Sequence, residues 1–277
     1  MVVGTVGASV PEEVPAAAGV EVVVVTGTPG ATTTLADDYV EPLVGERARS
    51  QLQRVLDGTY SEVDLLLFSR EEEAPLRLFY TLRELRRLEP ERRLPPVHLV
   101  DLQHIGSSAA QNWNEARVRE LCRVLGAEED ALTDAIRVCN ARRITSGEAG
   151  AGRRIYVTGS DHRDTRLRGL VEARGAVIVD PRPVLTDEEG DPTAAIARRY
   201  EHPLLARARA SSIDRAAAIA EDATAVGAEL VVAFYLEGDD GLRWEFPEVR
   251  AELDARSIPV QLLERQPYDL DHLELDG

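Results

Sequence analysis

The sequence predicts an α/β protein with two doubly wound, Rossmann- or flavodoxin-like parallel-sheet domains that face one another across a central cleft. Short apolar runs alternate with amphipathic helical periodicity along the whole chain. Several of these runs are apolar enough to be strands buried on both faces of a parallel sheet. A Gly-rich stretch at residues 145–152 divides the pattern into two similar halves, so we place the domains at residues 1–146 and 147–277.

The first half alternates strands with helices and then ends in two consecutive helices. Its predicted strands are residues 19–27, 63–69 and 96–102, and its predicted helices are residues 41–56, 74–88, 110–126 and 128–143. Gly126 is a plausible C-cap for the third of these helices.

The second half repeats the alternation after the linker. Its predicted strands are residues 153–160, 176–180, 228–238 and 258–264, and its predicted helices are residues 161–175, 212–227 and 247–257. A Pro-rich connection at residues 181–192 separates the second strand from the next helix. Right-handed crossovers would make each half a doubly wound layer, with any ligand site in the cleft between the C-terminal ends of the strands.

Composition and charge exclude several classes of function. With 44% hydrophobic residues, the chain can bury one large core or two smaller ones. No apolar run approaches the length of a membrane span, and no basic stretch precedes a hydrophobic N-terminal segment, so we expect a cytoplasmic protein. The formal net charge of -17 would repel phosphate backbones, which argues against a nucleic-acid partner.

The sequence contains no lysine, so Schiff-base catalysis and a complete Walker P-loop are excluded. Cys122 and Cys139 are the two thiols, and each lies within helical periodicity without CxxC spacing. Two such cysteines build neither a four-thiolate cluster nor a cysteine-only zinc site. A buried structural role explains both residues.

Three consecutive glutamates, Glu71, Glu72 and Glu73, follow the strand predicted at residues 63–69. They lie at the end of the strand where open α/β sheets bind ligands. Alternatively, they occupy the first turn of the next helix, where the helix dipole favours carboxylates.

Other polar residues also follow predicted strands. His104 and Ser107 come after the third strand of the first half and are candidates for the cleft, although helix capping explains Ser107 equally well. His162 follows the strand at residues 153–160. It could ligate a metal or transfer protons, or it could be a solvated loop histidine.

Four segments carry a resemblance to a known family. They are residues 7–19, with Pro-Glu-Glu followed by Ala-Ala-Gly, residues 114–143, which open with Asn-x-x-Arg, and residues 153–180 and 246–268. In this order they resemble the 2-hydroxyacyl-CoA dehydratase and benzoyl-CoA reductase subunit family over nearly the whole chain. The chain is similar to a shortened member, with few residues between its two halves.

The resemblance implies an iron–sulfur cluster held by three cysteines between two α/β domains. Family members receive one electron from an ATP-driven activator and reduce or dehydrate an acyl-CoA thioester through a radical. Aligned by eye, the three cysteine positions fall near Glu41, Glu72 and Asp239 in this chain. Carboxylates do not replace thiolates around a standard iron–sulfur core, so the radical chemistry is in doubt for this chain.

Two hypotheses follow. In the first, the chain is a cluster-less subunit of a hetero-oligomer, and a homologous cysteine-bearing chain holds the [4Fe-4S] cluster. Trp113 and Trp244 are the candidate anchors of the interface between the two chains. In the alternative, Glu41, Glu72 and Asp239 hold a divalent ion such as magnesium or manganese in a stand-alone, lyase-like enzyme acting on an acyl-CoA or another small acid. His162 is a further candidate ligand in this alternative.

An acyl-CoA ligand would require arginines around its phosphates. Arg142, Arg143, Arg153 and Arg154 flank the linker and are candidates for that role. A solvated surface explains the same four residues.

Overall fold

A computed structural model of the chain contains two parallel four-stranded sheets, each flanked by helices. It describes residues 1–70, 72–145, 151–161, 166–205, 212–270 and 273. The predicted class, two doubly wound α/β units, is therefore confirmed. Within the described ranges, none of the helices combines the length and the apolar character needed to cross a membrane.

The first sheet has the strand order β2-β1-β3-β4. Its strands are β1 (Val2–Val6), β2 (Glu21–Val24), β3 (Leu65–Ser69) and β4 (Val97–Val100). The helices of this half are α1 (Glu13–Ala17), α2 (Thr34–Asp37), α3 (Glu46–Leu56), α4 (Glu73–Leu88), α5 (Ser108–Leu125) and α6 (Glu129–Thr145), with 3-10 turns at Pro42–Val44 and Pro90–Arg92.

The second sheet repeats this topology with the order β6-β5-β7-β8. Its strands are β5 (Arg153–Gly159), β6 (Ala176–Val179), β7 (Leu230–Leu236) and β8 (Val260–Gln266). The helices of this half are α7 (Arg166–Glu172), α8 (Pro192–Tyr200), α9 (Ser212–Ala225), α10 (Asp240–Arg243) and α11 (Phe246–Asp254).

The central strands of each sheet are covered on both faces, as apolar strands require, whereas the edge strand β2 is largely exposed. In the first half, Leu66 and Phe68 of β3 pack on one side with α3 and α4, while Leu67 packs on the other with α5 and α6. All seven residues of β7 are buried. Alternate residues face a core that includes α7, and on the other face Val231 packs with α9 and α11, while Ala233 and Tyr235 pack with Leu242 of α10.

Helix α8 carries the chain of the second half back onto the first. Its residues Ile196, Ala197 and Tyr200 belong to the core that contains β1, α5 and α6. The Tyr200 hydroxyl also donates to the carbonyl of Val10 at 3.3 Å. The predicted boundary at residue 146 lies outside the described residues and stays a prediction, but residues 192–200 pack with the first half.

A buried polar cluster joins the halves on the same side. Glu13 of α1 is fully buried and accepts hydrogen bonds from Arg143 at 2.7 Å and from the Thr186 hydroxyl at 2.6 Å. Asn140 and Thr186 exchange backbone and side-chain hydrogen bonds at 2.8 and 3.0 Å. Glu13, Asn140, Arg143 and Thr186 are called the buried polar cluster below.

Several elements differ from the sequence prediction, including the short helices α1, α2 and α10, which were not predicted. Strand β1 was not predicted, although it pairs with both β2 and β3. The single helix predicted at residues 41–56 is interrupted at Gly45, whose φ of 87° ends the 3-10 turn before α3 begins. Helix α8 was also missed, although Asp191 caps it and Pro192 occupies its first position, a common helix-start pattern.

Candidate functional site: the cleft between the two sheets

The switch points of the two sheets face one another. Strand order reverses between β1 and β3 in the first sheet and between β5 and β7 in the second. Open α/β sheets bind ligands outside the carboxyl ends of the strands at such points. Glu72 follows β3, Ser160 and Asp161 follow β5, and Asp239 follows β7. These four residues border the same cleft through their shared contacts with Arg47 and with one another.

Arg47 lies at the centre of this arrangement. Its Nη2 donates to Glu72 Oε2 at 3.2 Å and to Asp239 Oδ2 at 3.4 Å, and its Nη1 donates to the carbonyl of Asp161 at 3.4 Å. Arg47 and Glu72 belong to the first half, whereas Asp161 and Asp239 belong to the second. One guanidinium therefore ties both switch points together across the cleft.

The position of Glu72 resolves the question raised by the three glutamates. Glu73 is in the first turn of α4, is 71% exposed and pairs with Arg77, as the helix-dipole explanation predicts. Glu72 precedes the helix, but its carboxylate does not cap it and instead contacts Arg47 with only 5% of the side chain exposed. Glu71 lies outside the described residues. The adjacent glutamates thus have different roles.

Ser160 fixes the second carboxylate. It is fully buried, and its hydroxyl donates to Asp239 Oδ2 at 2.5 Å. The Ser160 Oγ in turn accepts from the backbone N–H of Leu236 at 2.9 Å. Asp239 is therefore held by the ends of β5 and β7 together. Arg47, Glu72, Ser160 and Asp239 are called the cleft cluster below.

Two glycines allow the halves to approach closely beside the cleft cluster. A Cβ on Gly45 would lie 2.6 Å from the carbonyl oxygen of Glu237, and a Cβ on Gly238 would lie 2.9 Å from the Cα of Gly45. Both residues also have positive φ, 87° and 92°. A side chain at either position would push the halves apart or strain the backbone.

Cavities flank the cleft cluster on both sides. One has a volume of about 290 Å³ and includes Leu43, Glu72 and Asp239 in its lining. The other has a volume of about 190 Å³ and includes Arg47, Glu72 and Tyr268. Glu72 lines both, so the ion pairs separate two small chambers.

The charges of the cleft cluster are unequal, with one guanidinium facing two largely buried carboxylates. Burial lowers the pKa of Arg47, but Asp239 and Glu72 outweigh this effect and raise the pKa above its ordinary value. Arg47 therefore stays protonated. It supplies the positive charge that a metal would otherwise supply to these carboxylates.

The described residues of the cleft do not fit the two inorganic groups considered from the sequence. Carboxylate oxygens bound to a guanidinium are not the thiolates that an iron–sulfur core requires. Glu41 is exposed before the 3-10 turn at Pro42–Val44, and among the described residues no set of three or more His, Cys, Asp or Glu side chains is arranged to hold a metal ion. The alternative of a three-carboxylate metal site gains no support from this geometry.

The two thiols lie in the helical layer of the first half. Cys122 of α5 and Cys139 of α6 are both buried. Burial raises the pKa of each thiol, which keeps it protonated and unreactive. The structural role expected for both cysteines agrees with these positions.

The other cleft candidates have structural contacts. His104 is buried, and its Nδ1 lies 2.7 Å from the carbonyl oxygen of Tyr200. Ser107 caps α5 by accepting from the N–H of Ala110 at 3.2 Å, which is the alternative stated from the sequence. His162 lies outside the described residues.

The four arginines proposed for CoA phosphates have contacts in separate regions. Arg143 donates to Glu12 and, within the buried polar cluster, to Glu13. Arg142 lies 3.7 Å from Glu12. Arg153 and Arg154 open β5, at the end of the strand opposite the cleft, and Arg154 donates to the carbonyl of Val226. No contact joins the two pairs within the described ranges, so a shared phosphate site remains only a prediction.

Comparison with known families decides the relationship. A family profile described as the 2-hydroxyglutaryl-CoA dehydratase D-component matches residues 130–273, just over half of the chain. The chain belongs to this family. The match spans α6 and nearly all of the second half, including Ser160 and Asp239 of the cleft cluster. Membership of the D-component family confirms the resemblance found in the sequence.

Other comparisons add little to the D-component assignment. No curated protein matches the chain. Among solved structures, a proposed UDP-N-acetylglucosamine 2-epimerase from Listeria monocytogenes is 13% identical, with 92% of this chain and 88% of that one covered. Its TM-score of 0.21 is too low to support a conclusion about fold or activity.

Sequence reasoning missed Arg47, the residue that organises the site. A signal was nevertheless present, because Arg47 lies in the first turn of α3, where the helix dipole disfavours a cation. An arginine in that position requires nearby carboxylates. Ser160 was also missed, since a serine after a strand most often belongs to a turn.

Proposed function

We propose that this chain is a cluster-less subunit of a 2-hydroxyacyl-CoA dehydratase-like hetero-oligomer, in which it supports a homologous, iron–sulfur-bearing catalytic chain. The observation that carries the proposal is the cleft cluster. Two of the three positions aligned with family cysteines, Glu72 and Asp239, are carboxylates bound by Arg47. The [4Fe-4S] cluster and the lyase or reductase chemistry would then belong to the partner.

Charge supports this division of roles. A carboxylate that replaces a thiolate at a buried cluster position loses its hydration. This loss destabilises the folded protein unless a cation pairs with the carboxylate. Arg47 provides this cation for both carboxylates and links the halves at the same time. The cleft therefore keeps the domain arrangement of the family by means that need no iron. The family name, which denotes one component of an enzyme, is consistent with a role beside other chains.

A partner interface requires exposed anchors. Trp244, directly after α10, is 81% exposed, and Leu43 beside the cleft is 69% exposed. Trp113 is 43% exposed, but its indole N–H donates to the carbonyl of Asp101 at 2.8 Å and its ring contacts Arg117. Trp244 is thus the better candidate for the apolar core of an interface, which for a permanent complex should bury roughly 2,000 Å² or more.

Co-expression with a cysteine-bearing family homologue tests the proposal. We expect the two chains to co-elute in size-exclusion chromatography, with the mass of a hetero-oligomer by light scattering. Trp244→Ser should weaken the complex, whereas Trp113→Ser, the matched control, should have less effect. A chain that elutes as a monomer beside every homologue tested would contradict the subunit role.

Cluster content is a second, independent test. After anaerobic reconstitution and gel filtration, we expect iron and acid-labile sulfide to remain with the partner and to be well below stoichiometric on this chain alone. About four iron and four sulfide per chain would show that this chain holds a cluster itself. Catalysis by the isolated chain, with a divalent ion lost from the Glu72→Gln/Asp239→Asn double variant, would instead favour the metal-enzyme alternative.

A further inference from the structure

A separate cavity of about 420 Å³ lies between the segment after β1 and the connection after β6. We call it the arginine pocket; residues from its lining include Val10, Arg143, Pro183, Arg199, Tyr200 and Leu205. It shares no described lining residue with the two cleft cavities. Its volume is within the range of about 300–1,000 Å³ that is common for small-molecule sites.

Most of the charge in the arginine pocket is already balanced. Arg143 bonds Glu12 and Glu13. Arg182 bonds Asp222 at 2.7 Å. These two guanidinium groups therefore hold the walls in place rather than offering a free positive charge.

Arg199 differs from both. Its Nε donates to the carbonyl of Val184 at 2.8 Å, and its guanidinium stacks over the Tyr200 ring at 4.8 Å. Arg199 lines the cavity, and within the described ranges it forms no salt bridge, unlike its neighbour Arg198, which pairs with Asp187. The hydrogen bond and the stacking orient the guanidinium and leave its two terminal amino groups for a ligand.

The remaining walls are largely apolar apart from Ser9 and Glu12, and Arg143 balances the charge of the Glu12 carboxylate. Val10, Pro181, Pro183 and Val184 lie on two sides, and Leu204 and Leu205 follow α8. A fixed guanidinium within an apolar enclosure matches a ligand with one planar anionic group and a hydrocarbon body. A carboxylate accepts two parallel hydrogen bonds from such a group.

We propose that the arginine pocket binds a small organic carboxylate with an apolar tail, with Arg199 as the residue that pairs with the carboxylate. The site is separate from the cleft cluster and does not depend on the subunit role proposed above. The proposed ligand is a free organic acid rather than a CoA thioester.

Isothermal titration of the purified full chain with hexanoate tests the proposal. We expect saturable binding that Arg199→Gln weakens about tenfold or more, since a hydrogen-bonded charge pair contributes that much. Arg198→Gln is the matched control, because Arg198 is adjacent, 45% exposed and paired with Asp187 at 3.6 Å. It should change the affinity less than about twofold, as a surface charge does.

Two further measurements keep the test decisive. Leu205→Glu retains Arg199 but adds a negative charge to the lining, so it should also weaken hexanoate binding, and circular dichroism checks that each variant is folded. Hexan-1-ol and inorganic phosphate, which lack the charge and the tail respectively, should bind more weakly than hexanoate. Absence of saturable binding, equal loss in Arg198→Gln and Arg199→Gln, or phosphate binding as tight as hexanoate binding would overturn the proposal.

Discussion

Polar contacts join the two halves of the chain at two places that differ in enclosure. In the buried polar cluster, Glu13 is fully buried and accepts from Thr186 of the second half at 2.6 Å and from Arg143 of its own half at 2.7 Å. In the cleft cluster, Arg47 reaches its two carboxylates at 3.2 and 3.4 Å and cavities flank the contact. The difference indicates that an unpaired carboxylate costs more in the buried polar cluster than in the cleft cluster, where water in the cavities can solvate it.

Arg143→Met is the strongest test of this difference. It leaves the Glu13 carboxylate buried without its cation, so we expect a loss of about 3–5 kcal/mol in the free energy of unfolding, measured by urea denaturation. Arg142→Met is the matched control. Arg142 is 60% exposed, and its replacement should change stability by less than about 0.5 kcal/mol. Similar losses in both variants would show that the burial of Glu13 does not set the cost of removing its cation.

Arg47→Met should have a smaller effect. The substitution removes the cation that pairs with Glu72 and Asp239, but water in the neighbouring cavities can solvate part of their charge. We therefore expect a loss of about 2–3 kcal/mol in the free energy of unfolding. Adding Glu72→Gln to this variant should restore part of the stability, because one carboxylate no longer needs a cation. A loss as large as that of Arg143→Met, with no recovery in the double variant, would remove the distinction between the two clusters.

Gly45→Ala tests the close approach beside the cleft cluster. The added Cβ meets the Glu237 carbonyl, and we expect a loss roughly 1–2 kcal/mol greater than in the control variant Gly58→Ala. Gly58 has the same φ of 87°, but nothing lies within 4 Å of its Cβ position. Thermal unfolding of both variants separates the steric contact from the backbone strain, and equal effects would argue against a tight contact between the halves.

The smallest expected effect lies at Asp191, which caps α8 on the side of the buried polar cluster. Hydrogen bonds from Thr193, and secondarily the charge of Arg119, lower the pKa of Asp191. Its stabilisation is therefore present above the unfolded pKa of about 3.9 and is lost as pH falls through the lower folded value. Asp191→Ala should cost about 1 kcal/mol at neutral pH.

That cost should shrink in urea titrations carried out below the folded pKa of Asp191. Asp191→Asn is the control, since asparagine keeps the cap without the titrating charge and should depend less on pH. A difference between wild type and Asp191→Ala that stays constant with pH would show that the carboxylate charge does not contribute.

The periodicity of the sequence was sufficient for the fold class and for most elements. Strand β7 and helix α4 were predicted because long apolar or amphipathic runs determine their own structure. Strand β1 has five residues and includes Gly4, so its pairing with β2 and β3 depends on neighbours that are distant in sequence. Helix α8 was not predicted because the prolines around it are typical of a loop, although Pro192 is compatible with a first helical turn.

The candidate site was predictable only in part. Glu72 was placed at the cleft because it follows a predicted strand whose carboxyl end meets the sheet edge. Asp239 was selected through the alignment with the family cysteine positions. Arg47 was not found, since its partners are 25 and 192 residues away and no local pattern records such contacts. Pairing across the cleft is a property of the tertiary structure.

Helix α8 has a consequence for how the chain acquires its structure during synthesis. The core around β1, α5 and α6 needs Ile196, Ala197 and Tyr200 to be complete. Domains usually fold one after another as they leave the ribosome. Here the core of the first sheet includes residues that are synthesised after β5 and β6, so it cannot be complete before the nascent chain extends beyond residue 200. The two halves share one strand order, yet the core of the first half contains a helix from the second.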